Sequence, residues 1–180
     1  MIAWIALWRG CTPSDRVRAP QIRKGEHGLD GLLVRLRANG SEVAGVVICE
    51  QKATDNTRGK ITSQVWPELK DYESGIRDNQ LVSEVTALLE RENADTVEEI
   101  VAQIHWKSQR WYRVSVTYDK HLEDKRFREL FSGFDTHVPG THERRFAEVV
   151  VLEQLRPWME SLANLVVAEL QSFRGQISHV

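Results

Sequence analysis

The chain has 180 residues, 41% of them hydrophobic and 28% charged, and a formal net charge of −2 at pH 7. This length and composition are typical of one globular domain spanning residues 1–180, and they exclude a disordered or low-complexity chain. A near-neutral charge neither identifies nor excludes a nucleic-acid-binding protein, because a local basic face is sufficient to hold phosphates.

The first segment, residues 1–8, is apolar but far shorter than the ~20 residues that a membrane span needs. It also lacks the basic start of a signal peptide, and it predicts a short helix or a strand. Residues 10–25 contain two prolines and predict an irregular connection. Cys11 and Cys49 are interpreted as free thiols, so we expect a soluble cytoplasmic protein without membrane contact.

Two short apolar runs, residues 32–36 and 43–49, are separated by a segment that contains Ala-Asn-Gly-Ser, which is a hairpin signal. Side chains alternate between the two faces of a strand, so both apolar rows can face one core. The expected pairs are then Leu36 opposite Ala44, Val34 opposite Val46 and Leu32 opposite Ile48. This register needs a loop with an odd number of residues or a bulge, and it brings Asp30 opposite Glu50.

The paired acids and a nearby lysine predict a metal site. Directly opposed residues have β-carbons roughly 4.5–5.5 Å apart, and two carboxylates at that distance repel unless a cation lies between them. Lys52 projects from the same face as Glu50, where its ammonium can approach a water or a phosphate. Carboxylates that hold Mg²⁺ beside a second cation suit phosphodiester hydrolysis. An ordinary surface ion pair between Glu50 and Lys52 is the alternative.

Asp30, followed twenty positions later by Glu50-Gln51-Lys52 at the end of an apolar strand, resembles the D…(D/E)xK motif of the PD-(D/E)xK nuclease superfamily. That superfamily includes restriction endonucleases and many DNA-repair and antiphage nucleases. The resemblance covers residues 26–75 and implies that Asp30 and Glu50 bind Mg²⁺, with Mn²⁺ as a substitute. It also implies that Lys52 lies beside the attacking water. The main-chain carbonyl of Gln51 is a further candidate ligand.

The resemblance has limits that the sequence itself shows. Glu-x-Lys alone is not specific, since residues 68–70 and 123–125 also have it, but only Glu50 to Lys52 ends an apolar strand. The residue before Asp30 is Leu29 rather than the common Pro. The superfamily also carries an acid on a preceding helix, and Glu26 is the only nearby candidate for that position.

The segment after Lys52 predicts a polar loop from which Arg58 and Lys60 can contact substrate phosphates. Residues 61–74 predict a helix at least from Pro67, which suits a first helical turn. In several branches of the superfamily a helix at this place supplies a Gln or a Tyr to the site. Gln64 and Tyr72 are the matching residue types here.

The remaining elements follow from hydrophobic periodicity. Packing helices are predicted over residues 79–92 and 96–104, strands over 110–118 and 144–152, a short helix over 121–131 and a loop over 132–141. His137 and His142 flank that loop, and a metal site there lacks a third ligand. A long amphipathic helix is predicted over residues 157–174, with its apolar stripe in the core. The inward residues are expected to be Trp158, Leu162, Leu165, Val166 and Phe173.

The predicted fold class is α/β, with a restriction-endonuclease-like mixed, mainly antiparallel sheet and helices on both faces. We expect a Mg²⁺-dependent endonuclease that hydrolyses nucleic acid, with DNA favoured. By analogy with the superfamily, its setting is bacterial restriction or antiphage defence, as a homodimer or with a partner ATPase or helicase. An RNase stays open, because the catalytic atoms contact only phosphate and metal. A non-catalytic docking subunit with a nuclease-like fold also stays open.

Overall fold

The computed structural model describes residues 2–19, 29–40, 42–54, 56–91, 97–103, 107–119 and 127–177. Its centre is a five-stranded sheet with the spatial order β1-β2-β3-β4-β5. The strands are β1 (Asp15–Val17), β2 (Gly31–Leu36), β3 (Val43–Ala53), β4 (Arg110–Asp119) and β5 (Arg145–Leu152). The helices are α1 (Ile2–Arg9), α2 (Thr57–Lys60), α3 (Trp66–Ser74), α4 (Asp78–Arg91), α5 (Val97–Gln103), α6 (Phe127–Leu130), α7 (Phe134–His137) and α8 (Leu155–Ile177). A π-helical turn, Ile61–Val65, joins α2 to α3, and 3-10 turns precede β4 and β5.

The sheet is mixed, as predicted. Strand β2 pairs antiparallel with β1 and with β3, whereas β4 pairs parallel with both β3 and β5. The expectation of a mainly antiparallel sheet is therefore wrong, since half of the strand pairs are parallel. Parallel pairing requires a crossover, and the helical segment between β3 and β4 provides it.

Helices lie on both faces of the sheet, which confirms the predicted layers. Val46 and Ile48 of β3 belong to the larger core, together with residues of α3, α4 and α5 such as Leu69, Val85 and Ile100. On the other face Val47 and Cys49 pack with Leu33 and with Leu7 of α1. The alternation along β3 therefore decides which side chains meet the thick helical layer.

The β2–β3 hairpin has the predicted register over most of its length. Leu32 pairs with Ile48 and Val34 with Val46, so the apolar rows face one core. Near the turn Leu36 pairs with Val43 and not with Ala44, which corrects that one pair. The register shifts between Arg35 and Leu36, so a bulge supplies the extra residue.

Three predicted loops contain regular structure. Strand β1 lies inside residues 10–25, where the short strand was not predicted because it has only three residues. The helix after β3 begins at Thr57, ahead of the predicted segment, and α7 lies within the loop predicted over 132–141. Residues 121–126 of the helix predicted over 121–131 are outside the described part of the chain.

Helix α8 is longer than predicted, and its burial is different. Leu155 is buried and Trp158 and Leu162 are half-buried, but Leu165, Val166 and Phe173 are exposed. The prediction of an inward stripe along the whole helix is wrong, because α8 extends past the body of the protein after its first two turns. An apolar stripe shows that a helix face suits burial, but it does not show what buries it.

Among the described residues, none of the helices combines the length and the apolar character that a bilayer crossing requires.

Candidate active site

Three of the predicted site residues meet at one end of the β2–β3 hairpin. Asp30 directly precedes β2, and Glu50 and Lys52 lie two residues apart on β3. The Lys52 Nζ is 2.9 Å from Glu50 Oε2 and 3.1 Å from Asp30 Oδ2. The two carboxylates therefore lie on the same side of the sheet, as the predicted register requires.

A main-chain contact fixes the position of Asp30. The backbone N–H of Gln51 donates a hydrogen bond to Asp30 Oδ2 over 2.9 Å, and the same oxygen accepts the Lys52 ammonium hydrogen bond. Asp30 precedes the first residue of β2, Gly31, which pairs with Cys49. The carboxylate of Asp30 thus extends the hairpin pairing by one side-chain contact and is held against β3.

Glu50 is a buried carboxyl group with an exposure of only 2%. Burial raises its pKa to about 8, and the negative charges of Asp30 and Glu68 add to the rise while Lys52 opposes it. Burial by itself would lower the pKa of Lys52, but Glu50 and Asp30 outweigh it and raise that pKa to about 12. Lys52 is therefore a permanent cation between two acids.

The donor set fits a hard divalent cation that keeps part of its water shell. Mg²⁺ in proteins is held by one or two carboxylates, with waters and substrate oxygens completing the octahedron. Asp30 and Glu50 provide two carboxylates within reach of one cation, since both contact a single nitrogen atom. In the part of the chain that the structure describes, no cluster of three or more Asp, Glu, His or Cys side chains has metal-binding geometry.

A third acid, Glu68, acts on the site and was not predicted. It lies in the first turn of α3, and its charge raises the pKa of Glu50 and of Tyr72. Arg77 holds it through an ion pair of 3.2 Å. The Glu-x-Lys motif of residues 68–70 does not identify Glu68 as a site residue. Its spacing of four residues from Tyr72 does place both side chains on the same face of the predicted helix.

Tyr72 lies in the core beside the site, as its place on the predicted helix suggested. Its side chain is fully buried, and the Arg77 guanidinium lies 5.4 Å from the ring centroid. Burial raises the Tyr72 pKa to about 12, with a contribution from Glu50 and Glu68. The Arg77 guanidinium beside the hydroxyl opposes that rise in pKa. Tyr72 therefore offers a neutral donor near the acids.

The other predicted residues lie outside this cluster. Gln64 is exposed on the π-helical turn, and Lys60 is half-buried at the end of α2. The Arg58 Nη1 donates hydrogen bonds of 2.7 and 2.9 Å to the carbonyls of Leu130 and Ser132, so Arg58 ties α2 to the α6 region. Glu26 lies outside the described residues.

The two histidines that flank the predicted 132–141 loop have different environments. His137 stacks on Trp66 with ring centroids 5.4 Å apart, and burial together with Lys70 and Arg58 lowers its pKa. The His142 side chain is 87% exposed. Among the described residues, neither histidine belongs to a group of three or more side chains that could hold a metal ion.

Comparison with known proteins gives no match to this chain among protein-family models, curated proteins or solved structures. The resemblance to the PD-(D/E)xK superfamily thus depends on Asp30, Glu50 and Lys52 and on the strands that carry them.

Proposed function

We propose that this protein is a Mg²⁺-dependent phosphodiesterase that cleaves nucleic acid. One observation carries the proposal: Asp30 and the buried Glu50, twenty positions apart in the chain, meet on one side of a hairpin with Lys52 between them. A buried carboxyl group whose pKa is raised to about 8 is costly to keep in a purely structural role. That cost supports a functional reason for the cluster.

The roles follow from the chemistry of the side chains. Asp30, Glu50 and the carbonyl of Gln51 would hold the metal ion, which when bound polarises the scissile phosphate and lowers the pKa of a water ligand. Lys52 stabilises negative charge that develops on the phosphate. Tyr72 keeps its proton at neutral pH and would be a neutral hydrogen-bond donor beside the acids. Glu68 reinforces the negative potential that attracts a divalent cation.

The proposal extends to the architecture, the substrate and the targeting of the protein. The mixed sheet with its ExK strand supports a restriction-endonuclease-like architecture, and DNA is the favoured substrate with RNA as the other candidate. The proposed contacts to metal and phosphate do not distinguish base sequences. Targeting then comes from a second copy, or from a partner ATPase or helicase in a bacterial restriction or antiphage setting.

The direct test is cleavage of supercoiled plasmid DNA and of single-stranded RNA in the presence of Mg²⁺. We expect nicking by the wild type and a loss of at least ~100-fold in Glu50→Gln, Asp30→Asn and Lys52→Met, the range found when a transition-state-stabilising group is removed. Lys70→Met and Glu148→Gln are matched controls, because they change the same residue types outside the cluster. Cleavage at an equal rate in all six proteins would remove the assignment.

The competing function is a non-catalytic docking subunit, and one observation favours it. Lys52 contacts both acids and the Gln51 N–H contacts Asp30, so the cluster is held together without a metal. Thermal unfolding with and without Mn²⁺ separates the two functions, because a ligand that binds the folded state raises its stability by mass action. Stabilisation of the wild type that disappears in Asp30→Asn supports the metal site, and equal behaviour of both proteins supports docking.

A further inference from the structure

The side chains in the second half of α8 are exposed as far as Arg174. Leu155 at its start is 4% exposed, whereas Leu165 and Leu170 are 69% and 64% exposed. All the side chains from Ala163 to Arg174 are exposed. The helix has 23 residues, a length of roughly 34 Å at 1.5 Å per residue. Half of that length therefore projects from the body of the protein.

The projecting part carries an apolar seam with the period of a coiled coil. Its members follow one another at spacings of four, three, four and three residues: Met159, Ala163, Val166, Leu170 and Phe173. This pattern places the seam on one side of the helix, next to the stripe of Leu155, Trp158 and Leu162 that faces the body. A projecting helix gains little stability from propensity alone, and a continuous exposed apolar strip marks an interaction surface.

The charges beside the seam fit a second copy of the same helix. Glu160 and Arg174 are two heptads apart, so they flank the seam on the same side. If two copies of α8 run antiparallel about a point near Val167, Glu160 of each copy lies opposite Arg174 of the other. The same register places the small Ala163 opposite the large Phe173. One surface patch is thus complementary to itself, which is what a two-fold interface requires.

We propose that α8 is a dimerisation helix that pairs antiparallel with α8 of a second copy of this chain. The charges of the helix do not suit a lipid surface, because helices that lie on membranes carry a polar face rich in Lys and Arg. In α8 the acids Glu160 and Glu169 balance its basic residues. The inference rests on α8 alone and is independent of the proposed catalysis.

Sedimentation velocity of the full chain over the micromolar range tests the pairing. We expect a reversible dimer, and we expect Leu170→Ser to weaken it at least ~10-fold, a change of ~1.4 kcal/mol. Leu165→Ser is the matched control, since both leucines are highly exposed on the same helix but Leu165 is off the seam. A wild type that stays monomeric, or leucine variants that weaken the dimer equally, would overturn the proposal. Binding of the monomer to anionic vesicles would assign the seam to lipid instead.

A charge exchange tests the orientation. Glu160→Arg places like charges opposite each other and should weaken the dimer, and the double variant Glu160→Arg/Arg174→Glu should restore it. Glu169 lies on the other flank, where an antiparallel pair brings it near its own copy and a parallel pair brings it near Arg174. Glu169→Gln should therefore strengthen the dimer. Failure of the double variant to restore pairing, or weakening by Glu169→Gln, would contradict the antiparallel arrangement.

Discussion

Glu50 is the residue whose environment departs most from that of an ordinary carboxylate. Val46 and Ile48 lie on the same face of β3 and are covered by the helical layer. Glu50 is the next residue of that face and the last buried one. The alternation that buries those two residues also buries Glu50, and the hairpin then adds a second negative charge at Asp30. The cost of burying an acid is therefore imposed by the strand, and Lys52 offsets only part of it.

The raised pKa predicts that Glu50 makes the metal-free protein less stable as pH rises. The folded protein holds the proton up to about pH 8, whereas the unfolded chain releases it near 4.5. Between these values the folded state binds more protons, so its free energy of unfolding falls with increasing pH. In EDTA, wild type should lose ~1 kcal/mol or more from pH 5.5 to 8.5, since one pKa unit is worth ~1.4 kcal/mol. Urea denaturation of wild type and Glu50→Gln measures it, and the variant should lose less.

Glu148 gives the matched control for that experiment. Partial burial raises its pKa, but hydrogen bonds from Ser115 and Arg113 outweigh burial and lower the pKa overall. A lowered pKa contributes stability above the unfolded value that is lost only as pH falls through the acid range. Glu148→Gln should therefore leave the slope between pH 5.5 and 8.5 unchanged. A slope that flattens equally in both variants would show that Glu50 is not its source.

At the scale of elements, the contact between β3 and β4 depends on one glycine. A β-carbon at Gly45 would lie 2.9 Å from the ring of Trp111, which packs across β3 on the α1 side of the sheet. The large Trp111 ring packs against the cluster of Val47 and Cys49 and against Phe146, so it cannot move aside without disturbing these neighbours. The absence of a side chain at position 45 thus lets the indole lie against the strand backbone.

Gly45→Ala should destabilise the protein by ~1–3 kcal/mol, the usual cost of overpacking, despite the smaller entropy of the unfolded chain. Chemical denaturation measures this loss. Gly10→Ala is the control, because a β-carbon there meets only ordinary contacts of 3.5 and 3.6 Å. We expect no loss for that variant. Equal changes in the two variants would mean that Trp111 does not set the cost.

The elements that the sequence predicted well are those whose information is local. Alternation along β2 and β3 predicted both the register and the meeting of Asp30 with Glu50. The parallel pairing of β4 was not predictable in the same way, since it depends on a crossover of more than fifty residues. Glu68 was not predicted because Glu50, whose pKa it raises, lies on a different element that is distant in the sequence. The stripe of α8 was assigned to the core because periodicity does not identify the covering surface.

At the scale of the whole molecule, a buried polar network joins the helical layer to the parallel half of the sheet. Glu73 at the end of α3 accepts hydrogen bonds of 2.6 Å from Tyr112 of β4 and from Arg144, which precedes β5. Arg144 also donates to the main-chain carbonyl of Arg110. Arg110 in turn donates to the carbonyl of Tyr72. Three distant segments are thereby held in one relative position.

Glu73→Ala should cost ~3–5 kcal/mol, because it leaves the buried Arg144 guanidinium without its acid. Glu148→Ala is the control: it removes the ion pair of Arg113, whose acid is 36% exposed, and should cost only ~0–1 kcal/mol. Urea denaturation gives both values. The network also fixes the backbone of Tyr72 through Arg110, so Glu73→Ala should reduce the proposed plasmid nicking at temperatures where the variant stays folded. Similar losses of stability in the two alanine variants would show that the buried ion pair of Glu73 stabilises the fold no more than the half-exposed pair of Glu148.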